Sequence, residues 1–188
     1  MKINSISLIS IASALFFASS ANAAVMADFY AGGMVGAGGK TVFTDHKNDS
    51  EASMVFGAIT GMDLPIFRIE AEYDYFKSSG MNTNAALANV YAKIPSTVIL
   101  PYIGAGVGAI FGGDETITEN GIDTKYNIKT TAAYQAMLGA TIDILKLPLK
   151  FDVEGRVLYA PDIYTIKGTD TKPDMLQYNV RVKMRYIF

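Results

Sequence analysis

The 188-residue sequence has no cysteine. Disulfide stapling is therefore excluded, and so is a lipoprotein anchor, which needs a cysteine at its cleavage site. There is one histidine, His46, so any chemistry that requires histidine has one candidate. No long apolar run follows the first two dozen residues. The most apolar later stretch, Val98 to Phe111, is interrupted by Pro101, Gly104, Gly106 and Gly108, and it falls short of the ~20 residues a membrane helix needs. Positive charge is also not in excess. A formal net charge of −2 argues against nucleic acid as a partner.

Yet half of the residues are hydrophobic, with 17 glycines and 11 tyrosines. The first 23 residues account for a small part of this. Lys2, an apolar stretch from Ile6 to Phe17 interrupted by serines, and Ala21-Asn22-Ala23 make the pattern of a secretory signal peptide. Cleavage is expected after Ala23. The stretch is too short and too serine-rich for a transmembrane anchor. The expected mature chain, 24–188, has 165 residues (188 less 23) and the length of one domain. Lys2 is lost with the signal, leaving 15 basic and 18 acidic residues and a net charge of −3.

In the rest of the chain the apolar residues recur with period two. Leu176, Tyr178, Val180, Val182, Met184, Tyr186 and Phe188 alternate with Gln177, Asn179, Arg181, Lys183, Arg185 and Ile187. Alternate side chains of a strand point to opposite faces, so one face here is apolar and the other strongly polar. Phe67–Phe76 sets Phe67, Ile69, Ala71, Tyr73 and Tyr75 against Arg68, Glu70, Glu72, Asp74 and Phe76. Leu149–Tyr159 sets Leu149, Phe151, Val153, Val157 and Tyr159 against Lys150, Asp152, Glu154 and Arg156. Tyr134–Asp143 alternates in the same way. Weaker strands are expected at about Asp28–Gly38, Ser53–Asp63, Asn84–Ile94 and Leu100–Phe111. Rows of glycine at 32, 36 and 38 and at 104, 106 and 108 mark faces that need space. They are expected to line an interior and leave room for long side chains such as Arg181, Lys183 and Arg185.

The connections alternate in length. Short turns are expected at 63–66, 95–97 and 144–148, and longer polar loops at 39–52, 77–83, 112–129 and 161–174. Short turns on one side and long loops on the other is the pattern of an outer-membrane barrel. Within 112–129, Asn120-Gly121 is a two-residue hairpin signal flanked by alternation from Ile117 to Tyr126. A soluble β-sandwich or lipocalin-like barrel would also alternate. Dense charge of both signs on the polar face, Tyr and Phe near strand ends, and the terminal Phe188 favour the membrane reading. The fold class expected is all-β: an eight-stranded antiparallel up-and-down transmembrane β-barrel in the bacterial outer membrane.

Several segments resemble a known family. They are Phe29-Tyr30-Ala31-Gly32, Ala88-Asn89-Val90-Tyr91, Pro101-Tyr102-Ile103-Gly104-Ala105-Gly106-Val107-Gly108 and Tyr186-Ile187-Phe188. Together they are similar to the small porin-like outer-membrane β-barrels, which include OmpA-type transmembrane domains, OmpX and the Opa adhesins. The resemblance implies eight antiparallel strands and insertion by the barrel-assembly machinery, with periplasmic chaperones as further partners. It leaves function open, because family members include adhesins and structural anchors. The chain is expected to end with the barrel, without an OmpA-type peptidoglycan-binding domain.

Two sets of residues are candidate sites. The first is a lumen charge network of Arg68, Glu70, Glu72, Asp74, Lys93, Lys150, Asp152, Glu154, Arg156, Arg181, Lys183 and Arg185, with Asp143 nearby. An eight-stranded barrel has an interior just filled by side chains, so paired buried charge is favoured over a proton or ion path. The second is Met184, Tyr186 and Phe188, which resemble the signal read by the assembly machinery.

No catalytic residue, cofactor or metal is assigned. His46 near Asp49 and Ser50, or near Ser78 and Ser79, invites comparison with lipid A acyltransferases and deacylases. But it lies in a polar run, no amphipathic helix precedes the first strand, and no later histidine exists. Asp114, Glu115, Glu119 and Asp123 do not match an EF-hand spacing. The leading expectation is a non-enzymatic structural or adhesive protein among outer-membrane lipid and lipopolysaccharide, with a host or surface ligand at the long loops. The alternative is a small-solute or hydrophobic-substrate channel of the OmpW type, ahead of a lipid A-modifying enzyme.

Overall fold

The computed structural model describes residues 27–44, 47–79, 81–96, 99–119, 122–144, 147–163 and 173–188, with the backbone alone at 44, 47–50, 114–119 and 122–127. The signal segment, His46 and the Asn120-Gly121 turn lie outside the described residues. Nine strands are present among them: β1 (Asp28–Thr44), β2 (Lys47–Asp63), β3 (Phe67–Ser78), β4 (Met81–Lys93), β5 (Ile99–Glu119), β6 (Ile122–Asn127), β7 (Thr131–Asp143), β8 (Leu149–Ala160) and β9 (Asp174–Ile187). Every neighbouring pair is antiparallel. β4 pairs with β5, β5 with β7, and β9 with β1, which closes eight strands into a ring. The ninth, β6, pairs with the upper part of β5 and forms a hairpin above the wall.

The register fixes the barrel's shape. Tyr30 lies opposite Gly61, and the series continues through Glu70, Asn89, Gly106, Gln135, Leu158 and Gln177 to Lys40. One circuit thus returns to β1 ten residues further along. At ~3.4 Å per residue and ~4.8 Å between strands, that stagger tilts the strands by about 40° and sets a backbone radius of about 8 Å.

Burial decides which face is which. β3 alternates strictly, with Arg68, Glu70, Glu72, Asp74 and Phe76 buried and Phe67, Ile69, Tyr73 and Tyr75 exposed. The polar face is the interior and the apolar face is outside, the reverse of a soluble barrel. Outward aromatic pairs, Phe67 with Tyr75, Phe151 with Tyr159 and Tyr178 with Tyr186, are each eight residues apart. Along a tilted strand this spans about 20 Å of barrel height, close to the ~25 Å apolar band between aromatic girdles of outer-membrane barrels.

The strands run further than the alternation implied. The expected loop at 39–52 is mostly ladder, because β1 and β2 stay paired up to Thr44 and Lys47. The expected loop at 77–83 is reduced in the same way, with β3 reaching Ser78 and β4 starting at Met81. The inward face of these extensions stays buried at Lys40, Val42 and Met81, and polar residues such as Lys77 and Asn82 lie on the outward face. β5 bulges opposite Thr83 and Asn84, where Gly112 and Gly113 take φ of 62° and 103°, and stays paired with β4 as far as Glu115. A Cβ on Gly113 would come 1.7 Å from the Asn82 carbonyl oxygen, so this bend requires glycine.

Closure leaves no free edge in the wall, so its backbone hydrogen bonds resist detergent until heated. Unheated, folded protein is expected to migrate differently from boiled protein on gel electrophoresis in dodecyl sulfate. Identical migration of the two would contradict a closed barrel.

Candidate functional site

Among the described residues, charged side chains from β2, β3, β4, β7, β8 and β9 converge in the interior. Its lower part, toward the short turns, holds a continuous network. Asp63, at the end of β2, pairs with Lys93, with Lys150 (3.4 Å) and with Arg185 (3.0 Å). Lys150 also reaches Asp143 at 3.6 Å. Asp152 accepts two bonds from Arg185, at 2.8 and 2.9 Å, one from Arg68 at 3.2 Å and one from the Thr141 hydroxyl.

Higher up, Glu70 accepts from Lys183 (2.8 Å) and from the hydroxyls of Tyr30 (2.7 Å) and Tyr91 (2.9 Å). Glu154 accepts from Arg181 Nε at 2.6 Å and from Tyr102 at 3.0 Å. Glu72 takes a bidentate pair from Arg181 at 2.7 and 3.0 Å and a third bond from Arg156 at 3.2 Å. Asp74 is bound by Arg156 at 2.5 Å. The network has seven carboxylates and seven bases, so its formal charges balance.

Aromatic rings complete it. The Arg68 guanidinium lies 4.0 Å from the centroid of the Tyr91 ring and 4.8 Å from that of Tyr102, and the two rings meet edge to face at 5.3 Å. Room for the tyrosines comes from glycines directly opposite: Tyr30 faces Gly61, Tyr91 faces Gly104 and Tyr102 faces Gly139. A Cβ on Gly104 would lie 2.4 Å from the Tyr91 ring. The β1 glycines serve basic residues, with Gly32 opposite Arg185 and Gly36 opposite Arg181.

All twelve residues expected in the charge network lie inside the barrel, in one connected set. Sequence reasoning did not single out Asp63 or the three tyrosines. Asp63 stands where the expected strand 53–63 meets the expected turn 63–66, and its parity with Val55 and Ile59 places it inward. Tyr91 shares parity with Lys93, and Tyr102 with the Gly104 row, so parity could have located both.

The packed polar lumen expected from the sequence has its charges mainly in the lower part. Its upper part is mostly apolar, with Lys40, Ser53, Thr83 and Gln177 buried among hydrophobic side chains. Val55, Phe76, Leu87, Ile110, Leu158 and Met175 lead a buried cluster that also takes in Ile128 and Ile163. Arg156 marks the junction, its guanidinium 5.1 Å from the Phe76 ring centroid. The same inward parity that carries charge low on β3, β4 and β8 carries Phe76, Leu87 and Leu158 higher up. Apolar side chains can fill a narrow bore without needing partners.

Met184, Tyr186 and Phe188 point outward, 50%, 50% and 66% exposed. The rings of Tyr186 and Phe188 meet at 5.6 Å, and the Phe188 N–H donates to the Phe29 carbonyl at 2.9 Å. The side chains of Asp49, Ser50, Asp114, Glu115, Glu119 and Asp123 lie outside the described residues, as does His46.

A closed ring of eight antiparallel strands, apolar outside and charged inside, defines an outer-membrane β-barrel. The chain belongs to the outer membrane protein beta-barrel domain family, whose model matches residues 9–186, and its place is the bacterial outer membrane. Among solved structures it is similar to Neisserial surface protein A, at 15% identity over 82% of this chain and 95% of that one, with a TM-score of 0.53. It is also similar to Ail of Yersinia pestis, solved with the heparin analogue sucrose octasulfate, at 13% identity over 85% and 99% of the two chains, with a TM-score of 0.50. At these identities the likeness is one of fold. No curated protein matches the chain in sequence.

Removing one partner from such a network strands a buried charge. Glu154→Ala leaves Arg181 without its Nε acceptor and is expected to cost about 3–5 kcal/mol. Lys77→Ala, on an exposed side chain, should stay within about 0.5 kcal/mol of neutral. Reversible urea unfolding in lipid or detergent measures both. Equal effects would contradict the energetic role given to the network.

Proposed function

We propose that this is a non-enzymatic surface barrel with a sealed lumen, whose role is structural or adhesive. The observation that carries the reading is the filling of the bore: paired charges below and an apolar cluster above. A channel for small solutes needs a hydrated path, and a hydrophobic-substrate channel needs an empty one. A bore about 8 Å in backbone radius is filled by its own side chains. The non-enzymatic reading is supported by the lone histidine, set in a polar run of the sequence.

The partners proposed follow from the surfaces. The outward apolar face meets outer-membrane lipid and lipopolysaccharide. The extended strands β1, β2, β5 and β6 carry the chain beyond the membrane, where a host or surface ligand would bind. Periplasmic chaperones and the barrel-assembly machinery would deliver the chain. Purified protein in a planar bilayer is expected to be electrically silent. Discrete, reproducible conductance steps would overturn the sealed-lumen reading.

A second part of the proposal concerns Met184, Tyr186 and Phe188, which present alternate apolar side chains on the outer face of the last strand. They are proposed as an address read by the assembly machinery. If Phe188 were an anchor alone, its loss would remove one side chain's burial, about 1.5–3 kcal/mol, and most molecules would still insert. As an address, its deletion should cause periplasmic accumulation and proteolysis in cells while the purified chain still refolds in detergent. Fractionation distinguishes these, and normal outer-membrane levels without Phe188 would refute the address.

A further inference from the structure

The apolar upper seal is not built from the wall alone. Ile128, just after β6, and Ile163, just after β8, are 7% and 1% exposed within it, and every other member of that cluster belongs to a wall strand. The two connections that carry them are tied together. The Lys129 N–H donates to the Ile163 carbonyl at 2.9 Å, and the Thr131 hydroxyl donates to the Pro161 carbonyl at 2.6 Å.

The backbone beside Ile163 is unusual. Asp162 has φ of 52°, and it is the single non-glycine residue with positive φ among the described residues. This left-handed conformation is disfavoured for side chains other than glycine and persists where the surroundings hold it. Asp174 is one of the groups holding it. One carboxylate oxygen accepts the Asp162 N–H at 3.2 Å, and the other accepts the Tyr159 hydroxyl at 2.6 Å. The Ile163 N–H donates to the Pro173 carbonyl at 3.0 Å. The chain therefore turns at Asp162 and sends Ile163 into the mouth.

We propose that Ile128 and Ile163 form a removable stopper in the extracellular mouth, with Asp174 as the clasp that keeps it seated. This rests on the sealed-lumen reading and names the part of the seal that can move. A wall residue cannot leave the cluster without breaking the ladder. Lifting Ile128 and Ile163 breaks the hydrogen bonds described at Lys129, Asp162 and Ile163 and the one from the Ile128 N–H to the Gly113 carbonyl at 3.1 Å, but no pairing within the eight-stranded ring, so opening the mouth is a local event that leaves the barrel intact.

The absence of cysteine makes this testable, because an introduced thiol is the only one. Ala133 lies in the apolar cluster and is fully buried. Mature protein carrying Ala133→Cys, in lipid nanodiscs, is treated with a charged, membrane-impermeant maleimide. The thiol should label slowly. Adding Ile163→Ser, Ile128→Ser or Asp174→Ala should each speed labelling by about tenfold or more, since local opening governs access to a buried group. Heat-modifiable migration identifies the variants that remain closed barrels, and the three substitutions act at separate positions. Fast labelling of Ala133→Cys alone would overturn the sealed lumen itself. Slow labelling in the closed variants would overturn the stopper and leave the sealed lumen standing.

Discussion

In hydrocarbon no water is available to satisfy a strand's N–H and C=O groups, so each must find another strand. For this chain the demand is met by pairing β9 with β1, and the other dimensions follow from that closure. Eight strands returning with a ten-residue stagger leave one value for the tilt and one for the radius. The radius leaves a bore that side chains span. Arg181 reaches across it to Glu72, 109 residues earlier in the chain.

Closure also sets the electrostatics. β9 contributes three bases, Arg181, Lys183 and Arg185, and no lumenal acid. Their partners sit beside them on β8 and across the lumen on β2 and β3. The carboxylates of β3 and β8 are therefore neutralised fully only when β9 takes its place between β8 and β1. Burying ion pairs costs desolvation that their attraction barely offsets. The network is thus better understood as a condition on how the barrel closes than as a reservoir of stability. The tyrosines contribute on both counts, because each donates a hydroxyl to a carboxylate and packs its ring over a glycine or a guanidinium.

The lumen divides into two storeys for a related reason. Charges need partners at fixed distances, and the lower bore supplies them from six wall strands. Higher up, the facing positions hold Phe76, Leu87, Ile110 and Leu158, which fill space by contact alone.

Much of this was legible in the residues. Period-two alternation located all eight wall strands, and parity placed the twelve charged residues on one face, because a strand's side chains have no third direction to take. The glycine rows announced crowded positions before their neighbours were known. Other features depend on which strand lies beside which. Alternation is blind to inside and outside, and closure decided that the charged face is the interior. Polar composition read as loops at 39–52 and 77–83, where pairing with a neighbour keeps the chain extended into water. Asp63 looks like a turn residue until Lys93, Lys150 and Arg185 arrive around it from β4, β8 and β9. Ile128 and Ile163 sit in irregular segments with no period to read, and only the barrel's mouth gives them a place to be buried. The sequence by itself determined the strands and the two faces of each, since those are local consequences of backbone geometry. The tertiary structure alone decided the stagger, the ion partners and the seal, since each is a contact between residues far apart in the chain.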